Sequence, residues 1–143
     1  MPTTYFIILL LLSIGFHFVF PLLKFIFSPY IYLGFGLIIF GVIINLWTDS
    51  LFKKKHTTVK PYEIPNTLVT SGPFKLSRHP MYLGMMSILL GVAIFLGSLI
   101  TFAFPIIFII IMEKLFIPLE EKNLEKRFGN QYIDYKKNVR RWI

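Results

Sequence analysis

The sequence predicts an all-α integral-membrane protein: a single domain of about four transmembrane helices in two hairpins, closed by a C-terminal amphipathic helix. Three observations carry that prediction. Of 143 residues, 55% are hydrophobic and only 15% charged, against about a quarter charged in soluble domains. The apolar residues come in runs near the ~20 that cross a hydrocarbon core. The basic residues, which give a net charge of +8, gather just outside those runs, as topology and anionic headgroups require. They do not line a soluble face with interleaved aromatics, which sets nucleic acid aside as a partner. The length leaves no room for a separate soluble catalytic domain. The absence of cysteine excludes disulfides, thiolate ligands and a cysteine nucleophile, and three scattered histidines predict no metal centre.

The first run, Tyr5 to Leu23, has no Lys or Arg ahead of it and no small-residue cleavage site behind it. It therefore reads as a retained span and not a signal peptide. Lys24 can snorkel at its end. A turn at Ser28-Pro29 leads to a second run, Tyr30 to about Trp47, closed by Asp49 and Lys53-Lys54-Lys55. The short turn predicts a helical hairpin over residues 1–52.

Residues 53–77 are polar and basic, and Pro61, Pro65, Gly72 and Pro73 stop helix from running through them. They form the main loop. The next apolar stretch, Met81 to Met112, would be about 48 Å long as one helix, well beyond the ~30 Å hydrocarbon core. It must fold back, and Gly97-Ser98 is the predicted turn, with Pro105 kinking or starting the returning helix. Residues 78–118 are thus the second hairpin. This places Lys53, Lys54, Lys55, Lys60, Lys75 and Arg78 on the same membrane face as Lys136, Lys137, Arg140 and Arg141. The positive-inside rule makes that face cytoplasmic, with both termini inside.

After Pro118 the pattern becomes amphipathic over 119–143. At 100° per residue, Leu124, Phe128, Tyr132 and Tyr135 share a sector, Lys122, Asn123, Lys126 and Asn130 lie opposite, and Glu121 falls among the apolar residues. Gly129 is a point where this helix can break.

The residues that could do chemistry form two groups. The segment Arg78-His79-Pro80-Met81-Tyr82-Leu83-Gly84 stands where the basic loop meets an apolar run, and Glu120-Glu121 follows about forty residues on. Pro80 lacks an amide hydrogen and suits the first turn of a helix, so Arg78 and His79 precede a helix N-terminus. Free amides there favour an anion. Arg78 adds a planar fork for carboxylate or phosphate, His79 can donate and accept, and Tyr82 brings a ring with a polar tip. Taken alone, Arg78 could equally hold lipid phosphate. Glu120 fits simple complementation of a helix dipole, whereas Glu121, in the apolar sector, requires a partner or a ligand.

These elements resemble the Arg-His-Pro-x-Tyr and Glu-Glu signature of the isoprenylcysteine carboxyl methyltransferase and phospholipid methyltransferase superfamily. The resemblance covers about residues 68 to 142. It includes the Leu-x-x-x-Gly-Pro lead-in at Leu68 to Pro73, Arg127-Phe128-Gly129, Tyr132, Tyr135 and Arg140. It implies an integral-membrane enzyme that uses S-adenosylmethionine to methylate a lipophilic small molecule or lipid. By the same resemblance Arg78, His79, Pro80, Tyr82, Leu83, Gly84, Glu120, Glu121 and Tyr132 bind the cofactor. It also implies that Arg127, Glu121 and His79 act at the transferred methyl. The N-terminal half is short for members that act on prenylated protein ends. Gly34-Phe35-Gly36 is similar to a Gly-x-Gly element of phospholipid methyltransferases, although small residues in a span more often serve helix packing. Sterol reductases, which use NADPH, have similar Arg-His and Tyr elements and define the rival reading. A non-catalytic lipid-binding protein is the third.

Overall fold

In the computed structural model, residues 1–20, 24, 26–55 and 65–143 are described. Lys60 and Pro61 of the predicted loop, and residues 21–23 at the end of the first predicted run, lie outside them. The described residues form helices α1 (Pro2–Val19), α2 (Tyr32–Lys54), α3 (Pro80–Leu96), α4 (Ala103–Ile111), α5 (Ile117–Phe128) and α6 (Asn130–Asn138), with no strand among them. Three helical stretches, Pro2–Val19, Tyr32–Lys54 and Leu99–Phe128, are long and apolar enough to cross a membrane. The fourth apolar helix, α3, has 17 residues and is about 26 Å long at 1.5 Å per residue.

The two short-turn pairs interleave. Antiparallel α1 lies along α4, with Phe6 over Phe108 (ring centroids 6.4 Å) and Phe16 over Phe104 (5.8 Å). Helix α2 lies along α3, the most extensive helix contact in the molecule. The reason is in the side chains. Gly34 and Gly41 of α2 face Gly91 and Gly84 of α3, and a methyl group added at Gly91 would come within 2.6 Å of the Gly34 carbonyl oxygen. One added at Gly41 would strike the Gly84 carbonyl and lie 2.7 Å from Ile88 Cγ1. Backbones approach this closely only where side chains are missing, the usual basis of helix association in lipid. Gly34 is therefore a packing residue, and Gly36 has open space where its Cβ would be.

Helix α3 is the centre of the bundle, with Leu83, Leu89 and Ala93 buried, while α1 and α2 present Ile7, Leu11, Leu33, Ile39 and Ile43 outward. At its far end Gly97 takes a left-handed conformation (φ 67°) and caps the helix, which makes the predicted turn. The α1–α2 connection crosses the same end, where Lys24 pairs with Ser98.

Two boundaries differ from expectation. Helix α2 runs on to Lys54, because nothing before the loop prolines breaks it. Pro118 does not start a new helix: a π-helical turn, Met112–Phe116, joins α4 to α5 without a break. The widened turn accommodates a proline that has no amide hydrogen and would clash with the carbonyl four residues back. The break comes at Gly129 (φ 51°), where the chain turns into α6.

Candidate functional site

The site is built where the N-terminus of α3, the start of α5, α6 and the C-terminal tail converge. Ser71, Gly72 and Pro73 open a short 3-10 turn, Gly72–Lys75, whose Phe74 ring packs on Phe52 of α2 at 5.3 Å. This brings the chain back to α2 and delivers Arg78 and His79 to the head of α3. The tail then runs past them. The Arg78 amide donates to the Arg140 carbonyl (3.0 Å), Ser77 Oγ donates to the Arg141 carbonyl (2.9 Å) and in turn accepts from the His79 amide (3.1 Å). From α6, Tyr135 donates to the Phe74 carbonyl (2.6 Å).

Within this frame the two acidic residues take different roles. Glu121, 5% exposed, accepts two hydrogen bonds from Arg141, from Nε at 3.1 Å and from Nη2 at 2.8 Å. Arg78 Nη1 lies 3.0 Å from the same carboxylate, with His79 Nε2 at 3.6 Å and Lys136 at 3.9 Å. Glu121 thus has its partners inside the protein. Glu120 pairs with His79 Nδ1 at 3.0 Å and accepts from the Tyr82 hydroxyl, and it faces a half-open cavity of about 110 Å³. The His79 and Tyr82 rings stack with planes 5° apart.

The cavity wall is polar on one side, with Arg78, His79, Tyr82, Glu120, Tyr132 and Tyr135. It is apolar on the other, with Phe52, Leu68, Val69, Phe74, Met81 and Leu124. Three polar side chains on the wall keep hydrogen-bonding capacity unused: Arg78 Nε and Nη1, His79 Nε2 and the Tyr132 hydroxyl are buried with no partner in hydrogen-bonding geometry. Buried polar groups are nearly always satisfied, so three convergent exceptions on one cavity point to a ligand. The electrostatics agree. Burial opposes charge on His79, but the neighbouring carboxylates of Glu120 and Glu121 outweigh it and raise its pKa above 6.5. Burial, then the Glu121 charge, pushes Tyr132 up to about 12, which keeps its hydroxyl a donor. The bond to Glu121 raises Arg141 further.

Of the residues singled out from sequence, Arg78, His79, Pro80, Tyr82, Glu120 and Tyr132 line the cavity, and Glu121 stands directly behind it. Three do not join them. Leu83 is buried within α3, and Gly84 packs against Asn45 and Gly41 of α2. One and two residues beyond Tyr82, helical rotation carries them about 100° and 200° away from the cavity face. Arg127 is exposed, because it lies on the outer face of α5. Asn123, assigned to the polar face, also lines the cavity.

Sequence reasoning missed Arg141, Trp142 and Glu113. Arg141 Nη1 donates to Glu113 at 2.7 Å and Trp142 Nε1 to the same carboxylate at 2.6 Å. Glu113 carried a signal, since an acid that closes an apolar run is expensive without a partner. Nothing distinguished Arg141 from its neighbour Arg140. No group of three or more metal-ligating side chains occurs among the described residues.

A helical membrane protein with a half-polar, donor-rich cavity at the head of a buried helix is the class that fold and site define. The chain belongs to the phospholipid methyltransferase family, which matches residues 29–131. It is 32% identical over 111 residues to the probable protein-S-isoprenylcysteine O-methyltransferase of Oryza sativa subsp. indica, covering 76% of this chain and 58% of that protein. With the protein-S-isoprenylcysteine O-methyltransferase of Schizosaccharomyces pombe it shares 28% identity over 123 residues, 82% of this chain and 51% of that one. A Haemophilus influenzae protein described as uncharacterized is 41% identical over 63 residues, 44% of this chain and all of that protein. The chain thus spans about half the length of these methyltransferase relatives. No solved structure matches.

Proposed function

We propose that the protein is a membrane-embedded methyltransferase that draws its methyl group from S-adenosylmethionine and passes it to a lipophilic acceptor. The observation that carries this reading is the set of unsatisfied buried groups of Arg78, His79 and Tyr132 on one cavity wall, in a chain of this family. Bound there, S-adenosylmethionine supplies an electrophilic methyl on a sulfonium. Arg78 offers two donors to a carboxylate. Glu120, on the wall, is an acceptor for hydroxyls or for a cation, and Tyr82 and His79 hold it in place. Tyr132 and Tyr135 of α6 wall one side of the cavity, which favours positioning over bulk solvation. The two carboxylates favour the protonated form of His79, in which both ring nitrogens donate. That suits an acceptor already ionised, such as a carboxylate. The apolar wall of Leu68, Val69, Met81 and Leu124 suits a lipophilic acceptor, and the clustered basic residues favour a cytoplasmic side for the site.

The test is ligand stabilisation of the detergent-solubilised protein. S-adenosylhomocysteine should raise its unfolding midpoint and NADPH should not. A shift from NADPH with none from millimolar S-adenosylhomocysteine would move the assignment to a reductase. No shift from either would leave a lipid-binding role.

A further inference from the structure

We propose that Arg141 is a positioning residue: by chelating Glu121 it keeps that carboxylate from aligning on Arg78, and so leaves Arg78 Nε and Nη1 to bind an anionic group of the ligand. The inference rests on reading the cavity as an S-adenosylmethionine site. Arg141 lies outside the stretch that the family matches, residues 29–131.

The geometry is asymmetric between the two arginines. Arg141 spends Nε and Nη2 on Glu121 in a bidentate pair at 3.1 and 2.8 Å. Arg78 Nη1 stands 3.0 Å from Glu121 Oε1, yet neither it nor Nε is aligned on an acceptor. Its charge is balanced by Glu121, while Nε and Nη1 are not aligned on an acceptor. A buried donor beside a carboxylate turns onto it unless the carboxylate is held in another orientation. Arg141 takes one lone pair on each Glu121 oxygen and fixes the plane of the carboxylate.

The position of Arg141 is fixed by contacts that do not involve Glu121. Its Nη1 binds Glu113, its carbonyl accepts from Ser77, and its neighbours are held by the Arg78 amide on Arg140 and by Trp142 on Glu113. The tail is thus a strap that presents one guanidinium to Glu121. Removing that guanidinium lets Arg78 swing its N–H groups onto Glu121 and withdraw from the cavity. A purely structural strap would lower stability and leave the ligand contact of Arg78 alone.

The experiment is a double-mutant cycle on the full chain in detergent, titrated with S-adenosylhomocysteine and read as Kd, with the unfolding midpoint measured in parallel. Arg78→Gln and Arg141→Gln should each weaken binding by about tenfold or more, as expected for bonds to a charged group. The double variant should be no weaker than the worse single one, because both act through the same donors. Glu113→Gln, which cuts the strap but spares the Glu121 chelate, should lower the midpoint and leave Kd within about twofold, the scatter of independent sites. If Arg141→Gln does not fold, Arg141→Lys carries the same cycle, since an ammonium cannot reproduce the bidentate pair. Wild-type-like affinity in the Arg141 variant overturns the proposal, as does full additivity with Arg78→Gln. If the wild-type chain itself does not bind, the reading of the cavity falls first and this inference with it.

Discussion

The α2–α3 seam and the polar cluster at the head of α3 hold the same helix by opposite means. In the seam, Gly34 and Gly41 meet Gly91 and Gly84 backbone to backbone, and cohesion comes from side chains that are absent. In the cluster, Arg78, His79, Glu120, Glu121 and Arg141 interlock through charge, and cohesion comes from side chains that are present. Lipid tails are as apolar as leucine, so within the membrane only close approach and hydrogen bonding can favour one helix pair over another. At the water boundary, charges can be brought together, provided each buried one is paired. The seam should therefore tolerate no added atom, and the cluster no lost charge.

The largest expected effect is the loss of Glu121. Glu121→Gln leaves Arg78, whose side chain is 10% exposed, without a counter-charge, and leaves Arg141 paired with Glu113 alone. Breaking a buried pair from one side costs about 3–5 kcal/mol, at the lower end here because Arg141 reaches solvent. The intrinsic fluorescence of Trp47 and Trp142 in detergent should report a clearly lowered unfolding midpoint. Glu120→Gln should lower it less and weaken ligand binding more, since that carboxylate faces the cavity. A larger loss of stability at Glu120 would show that the cluster is not organised around Glu121.

The seam gives the next largest effect. Gly41→Ala places a methyl against the Gly84 carbonyl and Ile88, and overpacking of this kind costs about 1–3 kcal/mol. Gly36→Ala meets nothing within 4 Å and should be neutral or gain up to about 1 kcal/mol from helix propensity. Comparable losses in both would mean that glycine matters for backbone conformation and not for the seam. The same measurement on each variant decides it.

How far the sequence could be read follows the same division. The turn at Gly97 was legible because a ~48 Å apolar helix cannot fit the membrane and only one glycine stands near its middle. The burial of Glu121 was legible because helical phase placed an acid among apolar residues. The continuous helix through Pro118 was not, since a π-helical turn upstream leaves no mark on composition. The partners of the two glutamates were not legible: phase alone shows which carboxylate is buried, not that Arg141 and Arg78 meet Glu121 while Glu120 faces the cavity. Arg127 was favoured over Arg141 because it lies in the motif, and the tail that brings Arg141 back is set by long-range contacts to Glu113 and Ser77. The pairing of α2 with α3 uses the spacing of seven shared by Gly34-Gly41 and Gly84-Gly91, which becomes meaningful only once the two helices are set side by side.

The smallest effect separates the regions by pH. The seam contains no titrating group among Gly34, Gly41, Gly84 and Gly91, whereas His79 sits between Glu120 and Glu121, with Arg78 beside them and Tyr82 stacked on its ring. Burial disfavours its charge, but the two carboxylates raise its pKa above the ordinary 6.5. A pKa raised on folding means that the folded state binds the proton more tightly, so the stabilisation is fully present below the unfolded value and is lost as pH rises through the folded one. The difference in unfolding midpoint between wild type and His79→Gln should therefore be greatest below pH 6.5 and shrink as the pH is taken above it. Gly41→Ala should keep a constant difference from wild type over the same range. A His79 difference that stays flat or widens at high pH would mean that the imidazole is neutral in the folded protein. The carboxylates would then be balanced by Arg78 and Arg141 alone.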